Sequence, residues 1–177
     1  MSSCSILFAG FGGQGILFAG KFVAYKGLIE GKHVSWLPSY GPEMRGGTAN
    51  CSVIVSDEEI GSPVISRPDV LVAMNLPSLT KYENDVKPGG YIFIDSALIS
   101  SKVERDDVTV VYIPASQIAS DENMATLANM IITGNLLKNL DYFSTENLEP
   151  SLKKVVSARH QDLLGLNLKA LEIGINY

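Results

Sequence analysis

Short unbroken apolar runs alternate along this chain with longer stretches in which apolar residues recur every three or four positions, and glycine or proline marks most boundaries. The run Ile6-Leu7-Phe8-Ala9, closed by Gly10 to Gly15 and followed by Ile16-Leu17-Phe18-Ala19, reads as a buried strand, a glycine turn and the first turn of a helix. That helix is expected over Gln14 to Glu30, with Gly31 as its stop. A short strand follows over His33 to Leu37. Thr48 to Ser56 alternates and is rich in β-branched residues, so it is a strand as well. Asp57-Glu58-Glu59 is expected to turn it back into antiparallel pairing with the segment around Ile60 to Ile65.

Val70 to Met74 is apolar throughout, the pattern of a strand covered on both faces. A helix is expected from about Ser78 to Val86, then a turn at Lys87-Pro88-Gly89-Gly90. Strands follow at Tyr91 to Ile94 and at Val108 to Ile113, the second ended by Pro114. The remainder reads as helix: Ala115 to Ser120, Asn123 to Leu140, and segments near Pro150 to Val156 and Asp162 to Ile173. The order β-α-β, hairpin, β-α-β-β and helices predicts an α/β fold. It should be three-layered and Rossmann-like, with a mostly parallel sheet and an antiparallel hairpin insertion. No repeat, low-complexity tract or linker divides it, so residues 1–177 are expected to form a single domain.

Gly10, Gly12 and Gly15 match the G-x-G-x-x-G spacing, and Gly13 and Gln14 lie inside it. Such glycines allow a tight turn and a close approach of backbone to ligand. Free amide N–H groups at the helix start then favour an anion. Of two further motif readings, the P-loop fails and the dinucleotide site is weakened, which leaves a free-standing NAD or flavin enzyme as an alternative. Gly15 to Lys21 spells G-x-x-x-x-G-K, but a P-loop needs Ser or Thr next and this chain has Phe22. A dinucleotide site wants an acid at the end of the second strand; that strand ends Leu37-Pro38, and Glu30 falls before it.

Composition narrows the picture further. A chain of 177 residues with 46% apolar and 19% charged residues suits a well-packed domain. No apolar run reaches the ~18 residues of a membrane span, and Met1-Ser2-Ser3-Cys4 carries no secretion signal, so the cytoplasm is expected. A net charge of −5 argues against nucleic acid as the main partner. Cys4 and Cys51 stand alone, belong to no C-x-x-C pattern, and read as small buried residues.

In a parallel sheet the ligand crevice lies beyond the carboxyl ends of the strands. That rule selects Gly10 to Gly15, the loop Tyr40 to Gly47, Asn75, and Asp95-Ser96. The loop surrounds Tyr40, Glu43 and Arg45 with Gly41, Gly46, Gly47 and Pro42, a composition that favours a concave backbone with a guanidinium at its rim for phosphate or carboxylate. Asn75 and Asp95-Ser96 are also good capping residues. His33 and His160 stand apart, and no nucleophile–base–acid grouping or metal-ligand cluster is visible. By itself the chain is expected to catalyse nothing.

G-F-G-G-Q-G at 10–15, S-Y-G-P-E-M-R-G-G-T at 39–48, G-S-P at 61–63 and D-V-L-V-A-M-N at 69–75 resemble the gamma subunit of 2-oxoacid:ferredoxin oxidoreductases. The likeness extends through the helix with Asn129 and Gly134 to the closing N-L-K-A-L-E-I-G, and its form is nearest the 2-oxoglutarate type, with the pyruvate and branched-chain types, or a scaffold subunit with no ligand site, as the alternatives. The resemblance implies a division of labour. Alpha, beta and delta-type subunits would hold thiamine diphosphate and iron–sulfur clusters, and ferredoxin or a similar acceptor would take the electrons. The gamma chain would complete the complex and help receive coenzyme A through Gly12, Gly13 and Gln14. Tyr40, Glu43 and Arg45 would line the approach to the thiamine-bearing subunit.

Overall fold

The computed structural model describes residues 2–39 and 48–177. Its elements are β1 (Ser3–Phe11), α1 (Ile16–Ile29), β2 (His33–Ser39), β3 (Thr48–Ser56), β4 (Val70–Ala73), α2 (Leu76–Tyr82), β5 (Tyr91–Asp95), β6 (Thr109–Ile113), α3 (Ala115–Asp121), α4 (Ala128–Asn139), α5 (Leu148–Val155) and α6 (Asp162–Asn176). The strands form one sheet in the order β2-β3-β1-β4-β5-β6. β1, β4, β5 and β6 pair in parallel, whereas β3 runs antiparallel between β1 and β2. The mostly parallel sheet with an antiparallel hairpin is therefore as the pattern predicts.

The hairpin's second partner is different. β3 pairs with β2 and β1 on its two sides, which leaves no ladder free for residues 60–65. Those residues form no strand, and Pro63 and Val64 are exposed. Proline lacks a ladder donor, and with both sides of β3 occupied residues 60–65 cannot pair with it.

Alternation along each strand divides the core. Cys4, Ile6 and Phe8 of β1, Val53 of β3 and Val72 of β4 face a thick layer of helices that includes α1 and α4. Leu7, Ala9, Leu71, Ile92 and Ile94 face a thin layer: Leu79 of α2, then Val86, Ile99 and Val103. No helix joins β5 to β6. The connecting coil is pinned by Arg105, which donates to the carbonyls of Glu83 at 2.7 Å and Val86 at 2.9 Å.

In the thick layer α4 and α6 run antiparallel in very close contact. A Cβ on Gly134 would strike the Leu171 carbonyl, and one on Gly174 would strike that of Ile131. Asn135 Nδ2 donates to the Gly174 carbonyl at 3.1 Å across the same seam. The helix expected over Asn123 to Leu140 is in fact interrupted: Asn123 sits at φ 57°, a tight turn spans Ala125–Leu127, and α4 begins at Ala128. α1 ends as expected at Gly31, where φ is 77°. The Gly31 N–H donates to Leu28 at 3.1 Å and the Lys32 N–H to Gly27 at 3.0 Å, a Schellman closure. Just before it, fully buried Lys26 donates to Glu30 at 2.6 Å and to the Glu146 carbonyl at 2.7 Å. That ammonium fastens the turn before α5 onto α1.

Candidate functional site at the carboxyl edge of the sheet

β1 and β4 lie side by side in parallel, but α1 leaves β1 toward the thick layer and α2 leaves β4 toward the thin one. The chain reverses its winding between them, which opens a crevice at their carboxyl ends. Gly10 to Gly15 and Asn75 border it. Gly13 at φ 92° and Gly15 at φ 72° hold left-handed conformations that other residues adopt at a cost. Phe11, Gly12 and Gly13 are exposed. Gly15 is the N-cap of α1; it offers no side chain to the first-turn N–H groups, and no acidic residue stands in that turn. Among the described residues no side chain caps these donors, which suits an anion.

Gln14 has a role that the spacing alone did not show. Its Oε1 accepts from the Phe11 N–H at 2.6 Å and its Nε2 donates to the Met74 carbonyl at 2.9 Å. The side chain is a strut across the crevice floor, joining the end of β1 to the end of β4. Gly10 makes room for it: a Cβ there would lie 2.6 Å from Oε1 and 2.8 Å from Ile16 Cδ1. Asn129 is the residue that motif spacing missed. Its Nδ2 donates to the Gly15 carbonyl at 3.0 Å, from α4 and 114 positions along the chain. Only its place in the resembling helix hinted at it.

Asn75 caps α2, its Oδ1 accepting from the Ser78 N–H at 2.8 Å, while its buried Nδ2 has no partner among the described residues. Asp95 is fully buried, and its carboxylate accepts from Ala97 N–H at 3.2 Å and from the backbone and hydroxyl of Ser116. It joins β5 to the start of α3 and has little capacity left for a ligand. Tyr40, Gly41, Glu43, Arg45, Gly46 and Gly47 lie outside the described residues. The residues that flank them do not: Ser39 pairs with Asn50 and Thr48 with Phe11. Thr48 therefore lies beside the end of β1, and Ser39 at the same edge one strand further out.

A second concavity of about 440 Å³ lies at the opposite, amino edge, among Cys4, Lys32, Asp57, Asp69, Tyr91 and Tyr142. Lys32 pairs with Asp57 and lies 5.1 Å from the Tyr142 ring centre. Asp69 accepts from Lys87 at 2.7 Å and from the backbone and hydroxyl of Ser5 at 2.8 and 2.6 Å. Burial pushes the Asp69 carboxyl up, but the Lys87 and Ser5 hydrogen bonds outweigh it and hold its pKa below the ordinary carboxylate value. Burial pushes both cysteine thiols up to about 12, so neither is a nucleophile near neutral pH. Among the described residues no cluster of His, Cys, Asp or Glu could hold a metal ion, and no helix is long and apolar enough to cross a membrane.

Fold and crevice together define a Rossmann-like α/β domain that offers main-chain amides at its switch point. Residues 5–177 match the family model described as pyruvate ferredoxin/flavodoxin oxidoreductase, and the chain belongs to that family. Its relatives are subunits of 2-oxoacid oxidoreductases. It is 39% identical over 170 residues to the ketoisovalerate oxidoreductase subunit VorA of Methanothermobacter thermautotrophicus, covering 96% of this chain but 35% of that one. It thus spans about a third of the length of that relative. It is 37% identical over 150 residues to the 2-oxoglutarate synthase subunit KorC of Methanocaldococcus jannaschii, covering 83% of this chain and 80% of that one.

Among solved structures, the gamma subunit of the keto/oxoacid ferredoxin oxidoreductase of Geobacter sulfurreducens matches with TM-score 0.83 and 28% identity, over 98% of this chain and 96% of that one. A 2-oxoglutarate:ferredoxin oxidoreductase of Magnetococcus marinus, with 2-oxoglutarate, coenzyme A and succinyl-CoA bound, matches with TM-score 0.87 and 26% identity. That match covers 98% of this chain and 30% of that one.

Proposed function

We propose that this chain is the gamma subunit of a 2-oxoglutarate:ferredoxin oxidoreductase and that its glycine turn helps seat coenzyme A. The observation that carries this reading is the exposed pair Gly12 and Gly13 together with the uncapped start of α1, both at the switch crevice. Coenzyme A presents a pyrophosphate and a further phosphate, the kind of charge such donors take. Its thiol accepts the acyl group. In this reading no side chain of this chain forms or breaks a bond. The chain presents the phosphate end while the alpha, beta and delta-type subunits hold thiamine diphosphate and iron–sulfur clusters and pass electrons to ferredoxin. Tyr40, Glu43 and Arg45 are assigned to the mouth shared with the thiamine-bearing subunit.

The 2-oxoglutarate assignment is supported by length, because the KorC relative matches over most of both chains. A branched-chain 2-oxoacid is the second reading, favoured by the 39% identity to VorA. Assaying the complex co-purified from native extract against 2-oxoglutarate, ketoisovalerate and pyruvate decides between them. The coenzyme A role is tested in the same complex with Gly13→Asp and Arg45→Ala. Each is expected to raise the KM for coenzyme A at least about fivefold, the loss of roughly one charge-assisted contact, while assembly survives. Impaired assembly with an unchanged KM would instead make the chain a scaffold.

A further inference from the structure

We infer that Asn129 is a positioning residue for the glycine turn, holding its backbone in the form that receives the phosphate end of coenzyme A; the inference rests on the reading just proposed. Asn129 is 3% exposed and stands in a helix whose neighbouring residues Met130, Ile131 and Ile132 are wholly buried and apolar. Its carboxamide is only half satisfied. Nδ2 donates to the Gly15 carbonyl at 3.0 Å, but buried Oδ1 has no partner among the described residues. The Gly15 carbonyl also accepts from the Ala19 N–H at 3.0 Å, so α1 closes its first turn without help from Asn129.

For stability alone, this is a poor arrangement. A leucine of similar size would avoid the buried, unpaired oxygen and pack against the apolar face of the same layer. What the carboxamide adds is a fixed orientation of the Gly15 peptide, the one that turns a left-handed glycine into α1. The neighbouring peptides then present their N–H groups to the crevice. Gly15 is fitted to it from the other side, since a Cβ there would collide with Asn129 Nδ2. Gln14 fixes the front of the turn to β4 and Asn129 fixes its back to α4.

The test uses the assembled complex and the full chain, each carrying Asn129→Leu, with Gly13→Asp as a control on the coenzyme A reading. The KM for coenzyme A is expected to rise about five- to tenfold. The kcat and the KM for the 2-oxoacid should stay within about twofold and the melting temperature should hold or rise. Amide hydrogen exchange over Gly12 to Leu17 of the full chain is expected to quicken about tenfold, whatever the turn binds. A fallen melting temperature with unchanged exchange and KM overturns the inference, as does an Asn129→Leu chain that does not fold, because either makes the carboxamide a requirement of the fold.

Gly15→Ala, alone and combined with Asn129→Ala, gives a second route. The alanine's effect on the KM should shrink once Asn129 is gone, and simple additivity would again overturn the inference. If exchange quickens but Gly13→Asp leaves the coenzyme A KM untouched, the positioning stands and the coenzyme A reading falls.

Discussion

The two edges of the sheet spend their polar groups in opposite ways. At the amino edge the cavity near Asp69 is roomy enough for a small ligand, but its charges answer one another: Lys32 with Asp57, Lys87 with Asp69, and Ser5 with Asp69. At the carboxyl edge the side chains of Gln14 and Asn129 are used to hold backbone. What remains there is main-chain N–H capacity at the start of α1, which no side chain caps among the described residues. A cavity whose charges are already paired has little to offer a ligand, however large it is. A shallow crevice with unspent donors does.

The comparison makes opposite demands on mutants at the two edges. Lys26→Met, near the amino edge of the sheet, removes a buried ammonium, leaves Glu30 with only the Ser144 hydroxyl and strands the Glu146 carbonyl. It is expected to lower the unfolding free energy by about 3 kcal/mol in urea melts. The coenzyme A KM of the complex that still assembles should not change. A shifted KM would show that the edges are coupled through α1.

Gly134→Ala sharpens the same division, because it drives a methyl into the Leu171 backbone and pushes apart the helices that carry Asn129. A loss of about 2–3 kcal/mol is expected by thermal or chemical melt, together with a raised coenzyme A KM. Asp69→Asn should lose about 1–2 kcal/mol, chiefly through the Ser5 pair because Lys87 is half exposed, with no effect on the KM.

The pH profile follows from the same carboxylate. Its pKa is lower folded than unfolded, so its contribution is full above the ordinary carboxylate value and is lost as pH falls through and below it. The melting temperature of the native chain should therefore drop below about pH 4, and that of Asp69→Asn should drop less. The smallest effect expected is at the thiols. Cys4 and Cys51 should resist a thiol reagent in the native chain near neutral pH and react only after unfolding, since burial raises both to about 12. Reaction of Cys4 at the native rate of a free thiol would show that the amino-edge cavity opens.

Local pattern determined a great deal of this molecule. The strand–glycine–helix unit from Ile6 to Ala19, the stop at Gly31 and the alternation of β3 each follow from rules that act within about ten residues. Asn75 as a cap was legible for the same reason, since its partner Ser78 is three positions away. Partner choice over longer distances was not. A β-rich segment carries no record of which strand it will meet, so β3 was expected to pair with residues 60–65 rather than to insert between β1 and β2.

The strut from Gln14 to Met74 spans 60 positions and the tie from Asn129 to Gly15 spans 114. Neither leaves a periodic or spacing signal. The sequence by itself determined that a glycine-poor run would end in a backbone-rich corner. Only the tertiary structure decided what holds that corner in shape, because a hydrogen bond depends on the positions of two groups in space and periodicity describes one.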